Sequence, residues 1–197
     1  MEIQSLIFLY AVILFSAVIH EYFHAWTADT LGDPTARMAG RLTINPIKHM
    51  DLWGTVMLPL LMMSFFKIFI GYAKPVPFNP YNIKHKHGTL LVGIAGPAAN
   101  MLIAIIFGFV LRLFFAASPF GPLFALIVYI NIFLALFNLI PIPPLDGSKL
   151  FTEILPYRWR MIWQDSFVGI LVAIMIAFWI LPKIVSFLFL FITGQQF

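Results

Sequence analysis

Long apolar runs alternate with short polar segments along most of the chain. Five stretches are predominantly apolar: 3–27, 53–70, 89–117, 121–143 and 166–192. A helix needs about 20 apolar residues to cross a bilayer, and the "SPFGP" segment at 118–122 predicts a tight turn between two of the runs. The pattern therefore predicts an all-α integral membrane bundle with about four full spans.

The last apolar run is interrupted at Pro182, which limits its span to about residues 166–181. The tail beyond the proline is either an interfacial helix or an extension of the span. The length suits one compact bundle and leaves no room for a separate soluble domain. We therefore expect residues 1–197 to form a single membrane-embedded domain.

Positive charge is concentrated in three loops. Nine of the twelve Lys and Arg residues lie in 28–52, 71–87 and 146–165, and such loops belong on the cytoplasmic side of a membrane. The first two loops can share that side only if 53–70 does not cross the bilayer once. Pro59 favours a re-entrant or broken hydrophobic hairpin there, with its backbone buried in protein. A plain single crossing is the alternative.

The composition supports the membrane interpretation. The chain is 61% hydrophobic and 10% charged, with a mean hydropathy of +0.95, whereas soluble domains carry about 25% charged residues. The net charge of +4 comes from loops that set topology, so it does not indicate nucleic-acid binding. The absence of cysteine excludes disulfides and cysteine-ligated metals.

A cluster of ionisable residues, "HEYFH" at 20–24, stands at the end of the first apolar run. On a helix, residues i and i+4 share a face, so His20 and His24 can direct two imidazoles at one metal ion. Glu21 is near that ion without competing for it. The H-E-x-x-H pattern supplies two zinc ligands and a general base for metal-activated water. Ionisable groups at membrane depth indicate function, while a hydrogen-bonded cluster at a helix end is the structural alternative.

The third ligand must come from elsewhere, because catalytic zinc usually has three protein ligands and one water. Asp146 follows "FNLIPIPPL" at the end of a long apolar run, where prolines break the helix and let the carboxylate turn inward. With a hairpin at 53–70, the topology brings Asp146 to the same side and a similar depth as His20 and His24. An ordinary Asp-Gly turn at the membrane surface is the alternative.

Three motifs together resemble those of the site-2 protease family of intramembrane zinc metalloproteases, in its compact form without PDZ or CBS domains. "HEYFH" at 20–24 matches the H-E-x-x-H motif, "GPAAN" at 96–100 matches G-P-x-x-N, and "NLIPIPPLDG" at 138–147 matches the N-x-x-P-x-x-x-L-D-G type. The segment "GYAKPVPFNP" at 71–80 also resembles compact bacterial members. The resemblance covers about residues 5–150, the expected catalytic core, and leaves a C-terminal span.

The resemblance implies that His20, His24 and Asp146 bind one zinc ion per chain, with Glu21 as the catalytic base. Cobalt or iron would also suit such ligands. Asn100 becomes a candidate catalytic helper that holds substrate backbone or donates to a developing oxyanion. An interhelical hydrogen bond is the alternative for Asn100.

Members of this family cut a membrane-embedded substrate helix. The resemblance therefore implies regulated intramembrane proteolysis, with a transmembrane substrate protein and the lipid bilayer as partners and no nucleic acid. We expect a multi-pass protein of a prokaryotic cell membrane with its active site toward the cytoplasm. Regulation would fall to a membrane partner, to substrate pre-cleavage or to a homo-oligomer. Asn138 is interpreted as a structural cap before the proline break.

A substrate helix must unwind before its peptide bond can be attacked, and an extended segment could then pair with it by strand addition. Residues 36–45, "ARMAGRLTIN", are expected to form a short extended, β-like segment near the active site, because Thr43 and Ile44 favour strand and Asn45-Pro46 ends it. Residues 73–80 are a second candidate, although their prolines favour a blocking or guiding loop.

The main rival function is a membrane carrier of divalent metal ions that uses His20, His24 and Asp146 as a transport site. Glu21 discriminates, because a carrier has no need of a general base beside its first ligand. Two further alternatives are a metal site at "HKH", 85–87, and a catalytically inactive scaffold. The i, i+2 spacing of the "HKH" histidines and the intact motif set disfavour these two.

Overall fold

The computed structural model describes residues 3–66, 71–154 and 167–197, which contain helices and no strand. The residues group into two compact units, Met1–Gly88 and Thr89–Phe197. The helices are α1 (Ile3–Thr30), α2 (Thr35–Met38), α3 (Pro46–His49), α4 (Leu58–Phe66), α5 (Gly88–Val110), α6 (Gly121–Asn138), α7 (Gly147–Ile154), α8 (Phe167–Trp179) and α9 (Leu181–Thr193). Wider π-helical turns at Leu52–Met57 and Leu111–Phe115 precede α4 and extend α5.

Three of the described helices are long and apolar enough to cross a membrane: Gln4–Thr30, Gly88–Phe115 and Gly121–Asn138. Together α8 and α9 meet the same criterion as one span bent by 45°. The prediction of an all-α membrane protein with about four spans is therefore confirmed. That residues 1–197 form a single domain stays a prediction.

In the first unit, α1 is an uninterrupted helix of 28 residues. It contains neither Gly nor Pro, so nothing breaks its hydrogen-bond ladder. At about 1.5 Å per residue it is about 42 Å long, more than the roughly 30 Å of a hydrocarbon core. Gly32, at a left-handed φ of 108°, turns the chain out of the helix. The Asp33 N–H donates to the Ala28 carbonyl oxygen at 2.9 Å and closes this end.

The extended segment predicted at 36–45 is wrong. Its first residues belong to α2, a single helical turn that ends at Met38 and is followed by Ala39 and by Gly40, where φ is 64°. The Gly40 N–H donates to Arg37 O at 3.0 Å and the Arg41 N–H donates to Ala36 O at 2.9 Å. This pair of bonds is a Schellman ending. The glycine stop signal and the burial of Ala36 outweigh the β-propensity of the side chains that follow.

The predicted break in the apolar stretch 53–70 is present. A π-helical turn of six residues and the nine residues of α4 form one helical arm, about 22 Å long and short of a full crossing. The chain is then back at the start of this arm, because the Tyr72 N–H donates to Gly54 O and the Thr55 hydroxyl donates to Tyr72 O, both at 3.0 Å. A hairpin requires this return, and a single crossing does not allow it. Residues 67–70 of the stretch lie outside the described residues.

Residues 71–79, called here the return segment, run without regular secondary structure beside the helices of the first unit. The Lys74 N–H donates to His49 O at 2.9 Å. Val76 is buried in a small apolar cluster with Ala25 of α1 and Ala36 of α2. The return segment is therefore anchored on both sides of Pro75, by a hydrogen bond and by an apolar contact.

Asp33 ties the end of the return segment to the end of α1. Its fully buried carboxylate accepts hydrogen bonds from the Thr35 N–H (3.2 Å), the Thr35 hydroxyl (2.5 Å), the Asn79 N–H (2.6 Å) and the Asn82 side-chain amide (2.8 Å). Burial acts to raise the pKa of Asp33, but these hydrogen bonds outweigh it and hold the pKa below its ordinary value.

In the second unit, α6 and α9 pack around a core of buried side chains. Val128 and Ile132 of α6 meet Val185 and Phe189 of α9, and Leu111 joins them. The predicted turn at 118–122 is present, with the Gly121 N–H donating to Ser118 O at 2.9 Å. These contacts make α9 part of the packed core.

The break between α8 and α9 falls at Ile180, directly before Leu181 and Pro182. Leu181 is buried with Ala173, Ala177 and Ile142 in a second apolar cluster of this unit. The residues beyond the proline are therefore helical and packed in the core of this unit, and their membrane placement, as an extension of the span or as an interfacial helix, stays a prediction. The start of the predicted span at 166 and most of the basic loop 146–165 lie outside the described residues.

Candidate metal and catalytic site

His20 and His24 lie one turn apart in the last third of α1, and the structure brings their rings together. The two Nε2 atoms are 2.9 Å apart, and the ring centroids are 4.6 Å apart at an interplanar angle of 80°. Both side chains are buried. The helical repeat sets this geometry, because residues at i and i+4 project from the same face.

The pair fits a zinc ion. Zinc binds imidazole nitrogen at about 2.0–2.1 Å, so two nitrogens on one tetrahedral ion lie about 3.3 Å apart. The observed separation of 2.9 Å needs only a small opening of the rings to reach that value. Two buried imidazoles that turn the same nitrogen toward a shared point could supply two ligands to a zinc ion.

Glu21 lies next to His20 on α1 and is half-buried. Its Oε2 accepts a hydrogen bond of 2.8 Å from the backbone N–H of Val76 in the return segment. This contact joins residues 55 positions apart in the chain. The carboxylate is therefore held from outside its own helix, which fixes its orientation beside the two histidines.

Arg41 contacts the return segment at Lys74 and Pro75. Sequence reasoning assigned Arg41 only as one of the positive charges that set membrane topology. Its side chain is buried, and one terminal nitrogen donates to Lys74 O at 2.6 Å and to Pro75 O at 3.5 Å. The sequence signal for this buried position was that Arg41 directly follows Gly40, the glycine that stops the chain after α2.

Asp146 lies in the second unit, at the turn that precedes α7. The chain between α6 and α7 is folded by short backbone bonds, among them Leu145 N–H to Ile142 O at 2.9 Å. The Asp146 side chain is largely buried, with 13% of it exposed, and its Oδ1 lies 2.6 Å from the ammonium nitrogen of Lys149. A buried carboxylate in such a turn suits a metal ligand better than a plain surface turn does.

Asn100 and Asn138 occupy different settings in the second unit. Asn100 is fully buried and its amide donates to Asn131 Oδ1 at 2.9 Å, while the Asn131 amide donates to Ile127 O at 2.9 Å. The Asn138 amide donates to Leu134 O of its own helix at 2.9 Å, which agrees with a structural role. Sequence reasoning missed Asn131, although a lone amide within an apolar run was its signal.

The comparisons with known proteins identify the family. A family model described as "Peptidase family M50" matches residues 8–121 and 115–182, which is well over half of the chain. The chain belongs to peptidase family M50. The matched residues include all three M50-like motifs, at 20–24, 96–100 and 138–147. The resemblance to the site-2 protease family is therefore confirmed.

Individual relatives agree with the M50 assignment. The chain is 36% identical over 172 residues to the "Putative zinc metalloprotease YwhC" of Bacillus subtilis (strain 168), a match that covers 81% of this chain and 75% of that protein. It is 33% identical over 137 residues to Rip2 of Mycolicibacterium smegmatis, whose name gives the same description. That match covers 68% of this chain and 52% of the relative, so the M50 chain spans about half of Rip2. No solved structure matches the chain.

Proposed function

We propose that this M50 chain is an intramembrane zinc metalloprotease that hydrolyses a peptide bond within or near a transmembrane helix of a substrate protein. One observation carries the proposal. Two buried imidazole nitrogens lie 2.9 Å apart, next to a carboxylate held by a backbone N–H, on an apolar helix long enough to cross a membrane. Two imidazole ligands and a neighbouring carboxylate are typical of hydrolytic zinc centres. Ionisable side chains at membrane depth are costly and indicate a functional site.

The enzyme class and the metal follow the family, because M50 and the names of the relatives agree on a zinc metalloprotease. His20, His24 and Asp146 are the proposed ligands of one zinc ion per chain. The motif around Asp146 supports its assignment, as do its burial and the carboxylate chemistry that zinc accepts. When bound, zinc supplies Lewis acidity toward a carbonyl oxygen and a water molecule.

Glu21 is the proposed general base. Its Oε2 is held by the Val76 N–H, so Oε1 is the atom assigned to take a proton from the attacking water. The same carboxyl group then passes the proton to the nitrogen of the peptide bond that breaks. A fixed carboxylate is suited to this task because proton transfer depends on the distance and angle between the two heavy atoms.

The substrate is proposed to be a single membrane-embedded helix that unwinds locally at the site. Helix α1, which carries His20, Glu21 and His24, is long and apolar enough to cross a membrane, and a peptide bond in an intact helix is hydrogen-bonded within its own chain. We place the site toward the cytoplasmic end of α1, since the basic loops that follow α1 are expected to face the cytoplasm.

The return segment is proposed to guide the substrate without acting as a pairing strand. The N–H groups of Lys74 and Val76 are already used by His49 and Glu21. The neighbouring positions, 75 and 77, are prolines and have no N–H. Because the N–H groups at positions 74–77 are either used within the first unit or absent, an added substrate strand would find no backbone N–H donor at these four positions.

The decisive experiment is cleavage of single-span reporter proteins in proteoliposomes by wild type and by Glu21→Gln. Wild type is expected to cut a subset of the reporters, and a zinc chelator is expected to abolish cleavage. Glu21→Gln is expected to retain stoichiometric zinc and cut nothing, because it keeps the ligands and removes the base.

The same preparation tests the carrier alternative. If Glu21→Gln and wild type transport zinc into liposomes equally and neither cuts any reporter, the site is a transport site. If neither protein binds zinc, the metal centre itself is wrong. Glu2 has no part in the proposal, so Glu2→Gln is a charge-matched control that should cleave as wild type does.

A further inference from the structure

We propose that Arg41 is a positioning residue for catalysis, which sets the orientation of the Glu21 carboxylate through the backbone of the return segment. The inference rests on the proposed function of Glu21 as general base. It assigns a specific task to a buried arginine that touches neither Glu21 nor the two histidines in any described contact.

The burial of Arg41 is unusual for a charged side chain. Arg41 is 7% exposed, and a charged side chain is almost never buried to that degree without specific partners. Its terminal nitrogen donates to the adjacent carbonyl oxygens of Lys74 and Pro75, and its Nε has no hydrogen-bond partner among the described residues. Packing alone would be served better by an uncharged chain, since a partly satisfied buried guanidinium is costly.

The carbonyl oxygens of Lys74 and Pro75, which Arg41 contacts, belong to the two peptide planes on either side of Pro75. The N–H of Val76 belongs to the same plane as Pro75 O. The short bond of 2.6 Å holds Lys74 O, and the longer contact of 3.5 Å with Pro75 O restrains the direction of the Val76 N–H, because the peptide unit is planar. That N–H points at Glu21 Oε2 at 2.8 Å. One peptide plane thus connects the arginine with the catalytic carboxylate.

The backbone of Lys74 has a second contact, on the side of the return segment away from Val76. The Lys74 N–H donates to His49 O at 2.9 Å, and the fully buried His49 ring bonds through Nε2 to Thr43 O at 2.7 Å. Lys74 is therefore held through both its N–H and its carbonyl. Both contacts restrain rotation of the return segment about Pro75, and loss of Arg41 removes the bonds to Lys74 O and Pro75 O.

Arginine suits this task better than lysine. The planar guanidinium presents its donors in a fixed arrangement and stays charged when buried, whereas a lysine ammonium is a point charge on a flexible chain. Hydrogen bonds from an ionised donor are also stronger than neutral ones. We therefore expect lysine at position 41 to hold one carbonyl and to restore part of the function.

The test compares Arg41→Met, Arg41→Lys and wild type by reporter cleavage in proteoliposomes, with zinc content measured for each. Arg41→Met is expected to bind zinc stoichiometrically and to lower kcat about 10- to 100-fold at nearly unchanged KM, since a misplacement of about 1 Å can cost two orders of magnitude. Arg41→Lys is expected to recover part of that loss. Arg37→Met is the matched control, because the Arg37 side chain is 67% exposed and its described partner is Asp29 of α1 and not the return segment.

A second pair of variants tests the inference without altering the arginine. Val76→Pro removes the N–H that holds Glu21, and Val76→Ala trims the side chain at the same position. The proline variant alone is expected to show the kcat loss of Arg41→Met, and the two changes combined should lose little more than either does alone. This arm remains informative if Arg41→Met fails to fold.

Several results would overturn the inference. Full kcat in Arg41→Met, a rise in kcat, or an effect confined to KM would mean that Arg41 does not orient the base. An equal loss in Val76→Ala and Val76→Pro would assign the effect to packing. The proposed function would stand in all these cases, because it depends on cleavage by wild type and its loss in Glu21→Gln.

Discussion

The ammonium nitrogen of Lys149 lies 2.6 Å from Oδ1 of Asp146, one turn further along the chain at the start of α7. The lysine thus engages one oxygen of the proposed metal ligand. A carboxylate whose first oxygen is held in this way has its second oxygen fixed in direction, which favours binding of a metal through a single oxygen.

Replacement of Lys149 by methionine is expected to weaken zinc binding by about 10-fold, since residues that orient metal ligands typically contribute 10- to 100-fold to affinity. Competition with a fluorescent zinc chelator measures the effect on purified protein. Lys149→Arg keeps a cationic donor and should lose less. Tighter zinc binding by Lys149→Met would instead mean that the lysine competes with the metal for Asp146.

Gly147, directly after Asp146, is expected to tolerate no side chain. A Cβ atom there would meet the backbone carbonyl oxygens of Leu139 and Ile140, the second at 2.5 Å, and backbone cannot move aside as a side chain can. We expect Gly147→Ala to destabilise the protein by at least 2–3 kcal/mol, in the range of severe overpacking. Thermal unfolding in detergent, with zinc content measured on the folded fraction, would record both consequences.

Gly40→Ala is the contrasting variant for this prediction. Gly40 has a left-handed φ of 64° but open space around its Cα. Its replacement should cost only about 1–2 kcal/mol, the penalty for a left-handed alanine. If Gly147→Ala proves milder than Gly40→Ala, the close approach of the Asp146 turn to the end of α6 is incorrect.

How far the sequence alone determines this protein can be judged from particular residues. The pairing of His20 with His24 follows from the helical repeat, and the hairpin at 53–70 follows from the distribution of positive charge. Both depend on local pattern or composition, and both were predictable. The failure at 36–45 arose because a glycine stop decided the backbone there, against the propensity of the side chains.

The contact between Glu21 and Val76 lay beyond such reasoning for a different cause. It joins a helix to an irregular segment 55 positions away through a backbone N–H. A backbone donor carries no residue-type signal, so neither the motif nor the composition could indicate it. The buried pair of Asn100 and Asn131 was predictable only in part. Each amide stands alone in an apolar run, which indicates a buried polar contact, but their pairing with each other depends on the tertiary fold.

Asp33 makes the stability of the first unit depend on acidic pH. The folded-state pKa lies below the unfolded value because hydrogen bonds to the carboxylate outweigh burial. The stabilisation is therefore fully present above the unfolded pKa of about 3.9 and is lost as pH falls through the folded pKa. The sign follows because the unfolded chain takes up the proton first.

Thermal unfolding of wild type and Asp33→Asn between pH 7 and pH 3 checks this dependence. At pH 7 the variant should be less stable by about 1–3 kcal/mol, the cost of weakening a buried hydrogen-bonded network. The difference should shrink as the pH falls below the unfolded pKa, because the unfolded wild-type chain then takes up a proton that the folded carboxylate does not yet bind. A difference that stays constant across this range would contradict the role of the Asp33 charge.

The two buried asparagines offer a test of the oxyanion role predicted for Asn100. If Asn100 acts on the substrate, Asn100→Ala should lower kcat about 100-fold or more, as loss of an oxyanion donor does. Asn131→Ala should then lower stability far more than kcat. If the two replacements have equal effects on cleavage and on thermal unfolding, Asn100 serves only the hydrogen bond with Asn131.

The position of the histidine pair along α1 decides what a cleavage event would release. His20 stands 17 residues after the start of α1 at Ile3, about 26 Å along a helix axis about 42 Å long and therefore past its midpoint. Under the proposed function, a bond cut away from the middle of the membrane would divide a substrate helix unequally. The longer apolar product would stay in the lipid. The shorter product would carry fewer apolar residues than a span needs, so it would be the fragment that leaves the membrane, and it would do so on one side only.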